Sequence, residues 1–147
     1  MLTDSKKKEL SVEAILMIAA QQTKSRYSAQ QVYASLVKEM NMEGTSVYRE
    51  GNTLFIMHHA KGRIGVFRAL NADTARNYLD NSYTFIQDAY KMGFDILVSD
   101  FEDPTIMNIF KGISRNPPQE GMGYRAEKTK RGFRVTVKLG PARPERE

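Results

Sequence analysis

Three carboxylates crowd one short stretch, Asp100, Glu102 and Asp103, directly after the apolar run Ile96-Leu97-Val98. A carboxylate can take the proton of an attacking amine, and neighbouring carboxylates raise one another's proton affinity. Asp100 and Glu102 are therefore candidate general bases. The pair Asp103-Pro104 also suits a helix start, because Asp caps free amides and Pro fits the first helical position. The same residues read equally as a helix cap with solvated neighbours. His58 is a third candidate base, with His59 beside it, since imidazole titrates near neutral pH with little tuning. Adjacent strand residues point to opposite faces, so these two histidines, the only ones, do not chelate one ion. With no cysteine either, no metal site is expected. No G-x-S-x-G elbow occurs, and the glycines of GRIGVF flank a strand instead of opening a helix, so they make no phosphate loop.

The formal net charge is +5, and its placement matters more than its sum. One cluster is Lys6, Lys7 and Lys8. The other runs through Arg125, Lys128, Lys130, Arg131, Arg134 and Lys138 to Arg143 and Arg146. Lys128, Lys130, Arg131, Arg134 and Lys138 are candidate phosphate contacts for a nucleic acid. They read equally as a solvated strand face, because Arg134, Thr136 and Lys138 alternate with Phe133, Val135, Val137 and Leu139. No zinc-finger, helix-turn-helix or RNA-binding signature accompanies them.

These residues need elements to position them. At 147 residues the chain suits one domain, and 41% hydrophobic with 27% charged residues excludes a disordered chain. The apolar stretches are far shorter than the ~20 residues of a membrane span, so a soluble cytoplasmic protein is expected. Helical spacing predicts a helix from Ser11 to about Thr23 and a second from Ser28 to Gly44. Thr45 to Arg49 and Thr53 to His59 predict a hairpin about Glu50-Gly51-Asn52, followed by a third strand from Ile64 to Leu70. A long helix follows Asn71-Ala72-Asp73-Thr74 and ends near Met92. Asp73 is expected to satisfy the amides at its start. Phe94 to Phe101 holds a buried central strand, and a helix begins at Asp103-Pro104. Pro117-Pro118 stops it, and a hairpin closes the chain, Tyr124 to Lys128 and Phe133 to Leu139. The expected fold class is mixed α/β with a right-handed β-α-β crossover. Its expected parts are a helical segment at 1–44, a core at 45–140 and an extended tail at 141–147.

From Thr45 to Leu139 this order resembles the GNAT fold, that of the Gcn5-related N-acetyltransferases. Family members often carry Asn at the helix start after the buried strand, then a small residue, a Leu-Tyr pair and a Gly-aromatic. Here DPTIMNIFKGIS places Asp103, Ile106, Ile109, Phe110 and Ser114 on those positions. The resemblance implies a central mixed sheet with flanking helices, an N-terminal helical pair, and acetyl-coenzyme A as cofactor where the enzyme is active. In such enzymes the Tyr protonates the leaving thiolate, and Phe110 has no proton to give. The family's Gly-rich turn before the long helix cradles the pyrophosphate. Its counterpart, Arg68 to Arg76, has no glycine, so the resemblance assigns cofactor contacts to Arg68, Asn71, Thr74 and Arg76.

With its motifs so altered, the chain is also similar to acyltransferase-like proteins of tailed bacteriophages, including internal virion proteins of T7-like phages. The leading expectation is accordingly a non-catalytic structural or binding module with protein partners in an assembly, such as a virion component, and no cofactor. Host cytoplasm or virion would be its location. The alternatives are an acyl-coenzyme A-dependent N-acyltransferase with an atypical cofactor loop, and a basic protein that binds nucleic acid through the terminal hairpin. No membrane partner is expected.

Overall fold

The structure, a computed structural model, describes residues 9–23 and 26–141. Lys6, Lys7, Lys8, Arg143, Arg146 and the expected extended arm lie outside the described residues, apart from Pro141. Two helices come first, α1 (Val12–Gln22) and α2 (Ala29–Met40). Three strands follow, β1 (Thr45–Glu50), β2 (Thr53–His59) and β3 (Ile64–Asn71). Then come α3 (Ala75–Lys91), β4 (Ile96–Phe101), a single 3-10 turn (Pro104–Ile106) and α4 (Met107–Arg115). The hairpin β5 (Gly123–Lys128) and β6 (Phe133–Lys138) ends the order, which is the one expected from the sequence.

The helix starts follow from local chemistry. Ser11 caps α1 through the Ala14 amide, and Ser28 caps α2 with the full reciprocal box to Gln31. Two starts differ from expectation. Thr74, and not Asp73, caps α3 by accepting from the Asn77 amide at 3.2 Å. The Asp73 carboxylate turns instead to the β1–β2 turn, where it accepts from the Asn52 amide at 2.8 Å and from Asn81 Nδ2 at 2.8 Å. Asp103 caps the 3-10 turn, accepting from the Thr105 amide at 2.9 Å, so α4 begins later, at Met107.

One six-stranded sheet of order β1-β2-β3-β4-β6-β5 carries everything. Among the described strands only β3 and β4 are parallel, joined through the α3 crossover. Alternation along β2 divides two cores, since successive strand residues face opposite ways. Phe55 and Met57 join Phe67, Phe85, Leu97, Phe110 and Val135 under α3 and α4. Leu54 and Ile56 join Ile15, Leu16, Leu36 and Leu70 under the N-terminal helical pair. Leu97, Val135 and Val137 are fully buried, as expected for strands in the middle of the sheet.

One departure from regularity matters for function. β3 and β4 pair only at Ile64↔Ile96, Gly65↔Leu97 and Val66↔Val98, although both strands continue. Beyond those pairs they part. Gly65 sits at the vertex, where a Cβ would lie 2.5 Å from Met57 Sδ and 3.2 Å from Leu97. The missing side chain leaves room there for the Met57 and Leu97 side chains to pack over the vertex.

Candidate active site

A cavity of about 670 Å³ occupies the wedge between the diverging ends of β3 and β4. Phe67 and Ala69 of β3 form one wall, and Ser99, Asp100 and Phe101 of β4 another. α3 roofs it with Tyr78, Ser82, Phe85 and Ile86, and α4 contributes Ile109, Phe110 and Ile113. The β5–β6 turn closes one end with Thr129, Lys130, Arg131 and Gly132. That turn lies against β4 so closely that a Cβ on Gly132 would sit 2.7 Å from the Glu102 Cα and overlap the Phe101 carbonyl oxygen.

The wedge gathers some of the residues singled out by sequence. Asp100, Glu102, Arg68, Lys130, Arg131 and Arg134 all border it, with Asp103 beside them. Asp100 is held by Arg134, whose Nε donates to Oδ1 at 2.8 Å and whose second nitrogen donates to Oδ2 at 3.0 Å. The hydrogen bond from Arg134 draws the Asp100 carboxyl below its usual range, overcoming the opposing effect of partial burial. Asp100 is therefore not raised by its acidic neighbours as expected, because the nearest charge is positive.

Other candidates lie elsewhere. His58 sits between α2 and β1, its Nδ1 2.9 Å from Thr45 Oγ1 and its Nε2 3.0 Å from Glu39 Oε2. His59 faces the opposite way and packs on Phe94, ring centroids 4.8 Å apart, as the strand alternation requires. Arg68 borders the wedge but donates to Glu39 Oε1 at 2.9 Å. Asn71 accepts from Thr53 Oγ1 at 2.8 Å and from the Asp73 amide at 3.1 Å, so it braces the turn before α3. Thr74 is engaged as the cap, and Arg76 is exposed in the first helical turn. Lys128 and Lys138 are exposed on the terminal hairpin, outside the wedge. Among the described residues no group of three or more His, Asp or Glu gathers as a metal site. No described helix is long and apolar enough to cross a membrane.

Three hydroxyls on the cavity wall were not among the candidate site residues read from the sequence. Tyr78 and Ser82 stand one turn apart on α3 and Ser99 faces them from β4, all three on the cavity wall. Burial pushes the Tyr78 phenol up to about 12, so it keeps its proton at neutral pH. The available signal was the spacing of Tyr78, Ser82 and Phe85, which puts them on one helical face. Phe110 is buried in the wall and packs on Phe101 and Tyr124, ring centroids 6.1 and 6.0 Å away.

No protein-family model matches the chain, and no curated protein sequence matches it. Among solved structures it is similar to the ribosomal-protein-S18-alanine N-acetyltransferase from Escherichia coli, with a TM-score of 0.56 and 12% sequence identity. The match covers 95% of this chain and 97% of that one. The fold is therefore mixed α/β and GNAT-like, the architecture of an N-acetyltransferase.

Proposed function

We propose that the protein is an acyl-coenzyme A-dependent N-acyltransferase with an atypical cofactor loop. The observation that carries this reading is the wedge itself, a cavity at the point where the two parallel strands of an N-acetyltransferase-like sheet part. Strand divergence at the carboxyl ends of parallel strands is where open α/β sheets place ligands. This observation favours the acyltransferase over the non-catalytic virion module. The donor site is also chemically suited to its ligand. Tyr78, Ser82 and Ser99 offer hydroxyls to an amide-bearing arm, and the surrounding aromatic walls exclude water. Arg76 at the start of α3 is the exposed cation for phosphates, in place of the glycine cradle.

A thioester supplies the activated acyl group. At the acceptor end Glu102 takes the proton of the attacking amine, because Arg134 already occupies both oxygens of Asp100. The amine nitrogen bonds to the acyl carbon as the carbon–sulfur bond breaks. Tyr78, the one phenol on this wall, returns a proton to the departing sulfur in the role that Phe110 cannot fill. The protein is tested by thermal melting with acetyl-coenzyme A at a hundred times its dissociation constant, where stabilisation of about 2.7 kcal/mol is expected. Acylation of peptide amines is then read by mass spectrometry. No stabilisation by any acyl-coenzyme A, together with no acylated amine, would sink the proposal.

A further inference from the structure

The charges on the rim of the wedge are not all spent on one another. Arg68 is paired with Glu39 and Arg134 with Asp100, so both of these cations have carboxylates of their own. Lys130 and Arg131 also border the cavity, and among the described residues neither enters an ion pair. Glu102, on the same rim, enters none either. All three side chains are exposed. The turn that carries the two cations is nevertheless fixed in place. The Thr129 amide donates to the Gly132 carbonyl at 2.9 Å, and the Gly132 amide donates to Thr129 Oγ1 at 3.1 Å. Gly132 then packs on the end of β4, where its Cβ would sit 2.7 Å from the Glu102 Cα. Arg131 is one residue away, so its Cα stands within roughly 8 Å of the Glu102 Cα. One carboxylate that takes an amine's proton thus has two uncommitted cations beside it.

We infer that the acceptor is the α-amine of a peptide whose second or third residue is Asp or Glu. The inference rests on the acyltransferase reading and specifies its acceptor. An extended chain advances about 3.3–3.6 Å per residue, so an amine at Glu102 brings those side chains within reach of Lys130 and Arg131. There an acidic side chain accepts charge-assisted hydrogen bonds from the ammonium and the guanidinium. The amine gives its proton to Glu102 and bonds to the acyl carbon, and the thioester sulfur leaves with the Tyr78 proton. Because both cations are exposed at the mouth, the chain they hold runs outward from the wedge, as a peptide does and a free amino acid does not. A nucleic acid fits this rim less well. Glu102 and Asp103 would repel its phosphates, and Lys128 and Lys138, which a phosphate track would need, lie outside the wedge.

Steady-state acylation of matched peptides by the full chain, with acetyl-coenzyme A as donor, tests this. The peptides differ only at the second and third positions, which carry Asp-Glu, Asn-Gln or Lys-Lys. Two partly solvated ion pairs should raise kcat/KM for the acidic peptide about tenfold over the neutral one. The basic peptide should be the poorest, and the acidic preference should shrink as salt is added. Replacing both cations, Lys130→Gln with Arg131→Gln, should bring the acidic-to-neutral ratio close to one. Lys128→Gln with Lys138→Gln removes the same charge from the hairpin outside the wedge and should keep the ratio. Should any variant fail to fold, the peptide series on the unaltered protein decides alone. Equal rates for acidic and neutral peptides, or a preference for the basic one, overturn the inference and leave the acyltransferase standing. Acylation of free glutamate while every peptide stays untouched does the same. No stabilisation by acetyl-coenzyme A and no acylated amine overturn both.

Discussion

Arg134 reaches from β6 to Asp100 on β4 and takes both carboxylate oxygens, at 2.8 and 3.0 Å, on the rim of the wedge. One contact thereby engages a candidate base and one of the cations proposed for nucleic acid. It also ties the terminal hairpin to the strand that forms the cavity wall, where Phe101 pairs with Phe133 in register.

The Asp100 carboxyl should titrate below the ordinary aspartate value, as its hydrogen bond from Arg134 demands. A lowered folded-state value contributes stability above the unfolded value, and that contribution is lost as pH falls through the folded one. Carboxyl carbon-13 NMR on the protein and on Arg134→Gln measures it. The substitution should move Asp100 upward. The melting temperature at neutral pH should scarcely change, since both partners are exposed and solvent screens the pair. An Asp100 titration that ignores the substitution would contradict the assigned cause.

Tyr78 makes the opposite prediction at the alkaline end. Its phenol is pushed from 10.0 to about 12 by burial alone. The folded value is raised, so the contribution is whole below pH 10.0 and disappears as pH rises through about 12. Stability should fall across that window because the unfolded chain ionises first. Ultraviolet titration should show a late phenolate step that belongs to Tyr78. Tyr78→Phe should remove that late step and flatten the alkaline loss; an unchanged late step would assign it to another residue.

The order of elements was legible because hydrophobic period and turn residues are local signals, as Ser28, Gly44 and Pro117-Pro118 illustrate. The GNAT-like likeness was legible from that order as well. The position of Asp73 was not, because its partners Asn52 and Asn81 come from a different turn and a later helical turn. Nor was Arg68 on β3, whose carboxylate partner Glu39 lies on α2. The wedge escaped for a related reason. Strand divergence is a property of register between Val66 and Val98, and no residue type announces it. Tyr78 and Ser82 could be placed on one face of α3, but only the tertiary packing shows that the face borders a cavity.

Asp73 now predicts a specific cost. Its carboxylate accepts from the Asn52 amide and the Asn81 side chain, both part-buried, and anchors the β1–β2 turn to α3. Asp73→Ala leaves those donors without it and should destabilise the protein by about 1–3 kcal/mol in urea unfolding. Were Asp73 a cap of α3, the loss would appear chiefly as fraying of that helix. Hydrogen exchange distinguishes the two: protection should fall at Asn52 while the amide of Asn77, capped by Thr74, keeps its own. Loss at Asn77 alone would restore the cap.

Gly132 tests how the terminal hairpin shapes the wedge. A methyl group there meets backbone, the Phe101 carbonyl and the Glu102 Cα, and neither can rotate aside as a side chain would. Gly132→Ala must therefore push the β5–β6 turn off the end of β4, with an overpacking cost of about 1–3 kcal/mol. The displaced turn carries Lys130 and Arg131, so the cavity rim moves with it. Gly123→Ala is the control, since nothing lies within 4 Å of its Cβ position on the same hairpin. The first substitution should lower both the melting temperature and the stabilisation given by acetyl-coenzyme A, and the control should leave both nearly unchanged. Equal effects from the two would show that the hairpin tolerates methyl groups generally, and the close approach at Gly132 would then carry no special weight in shaping the site.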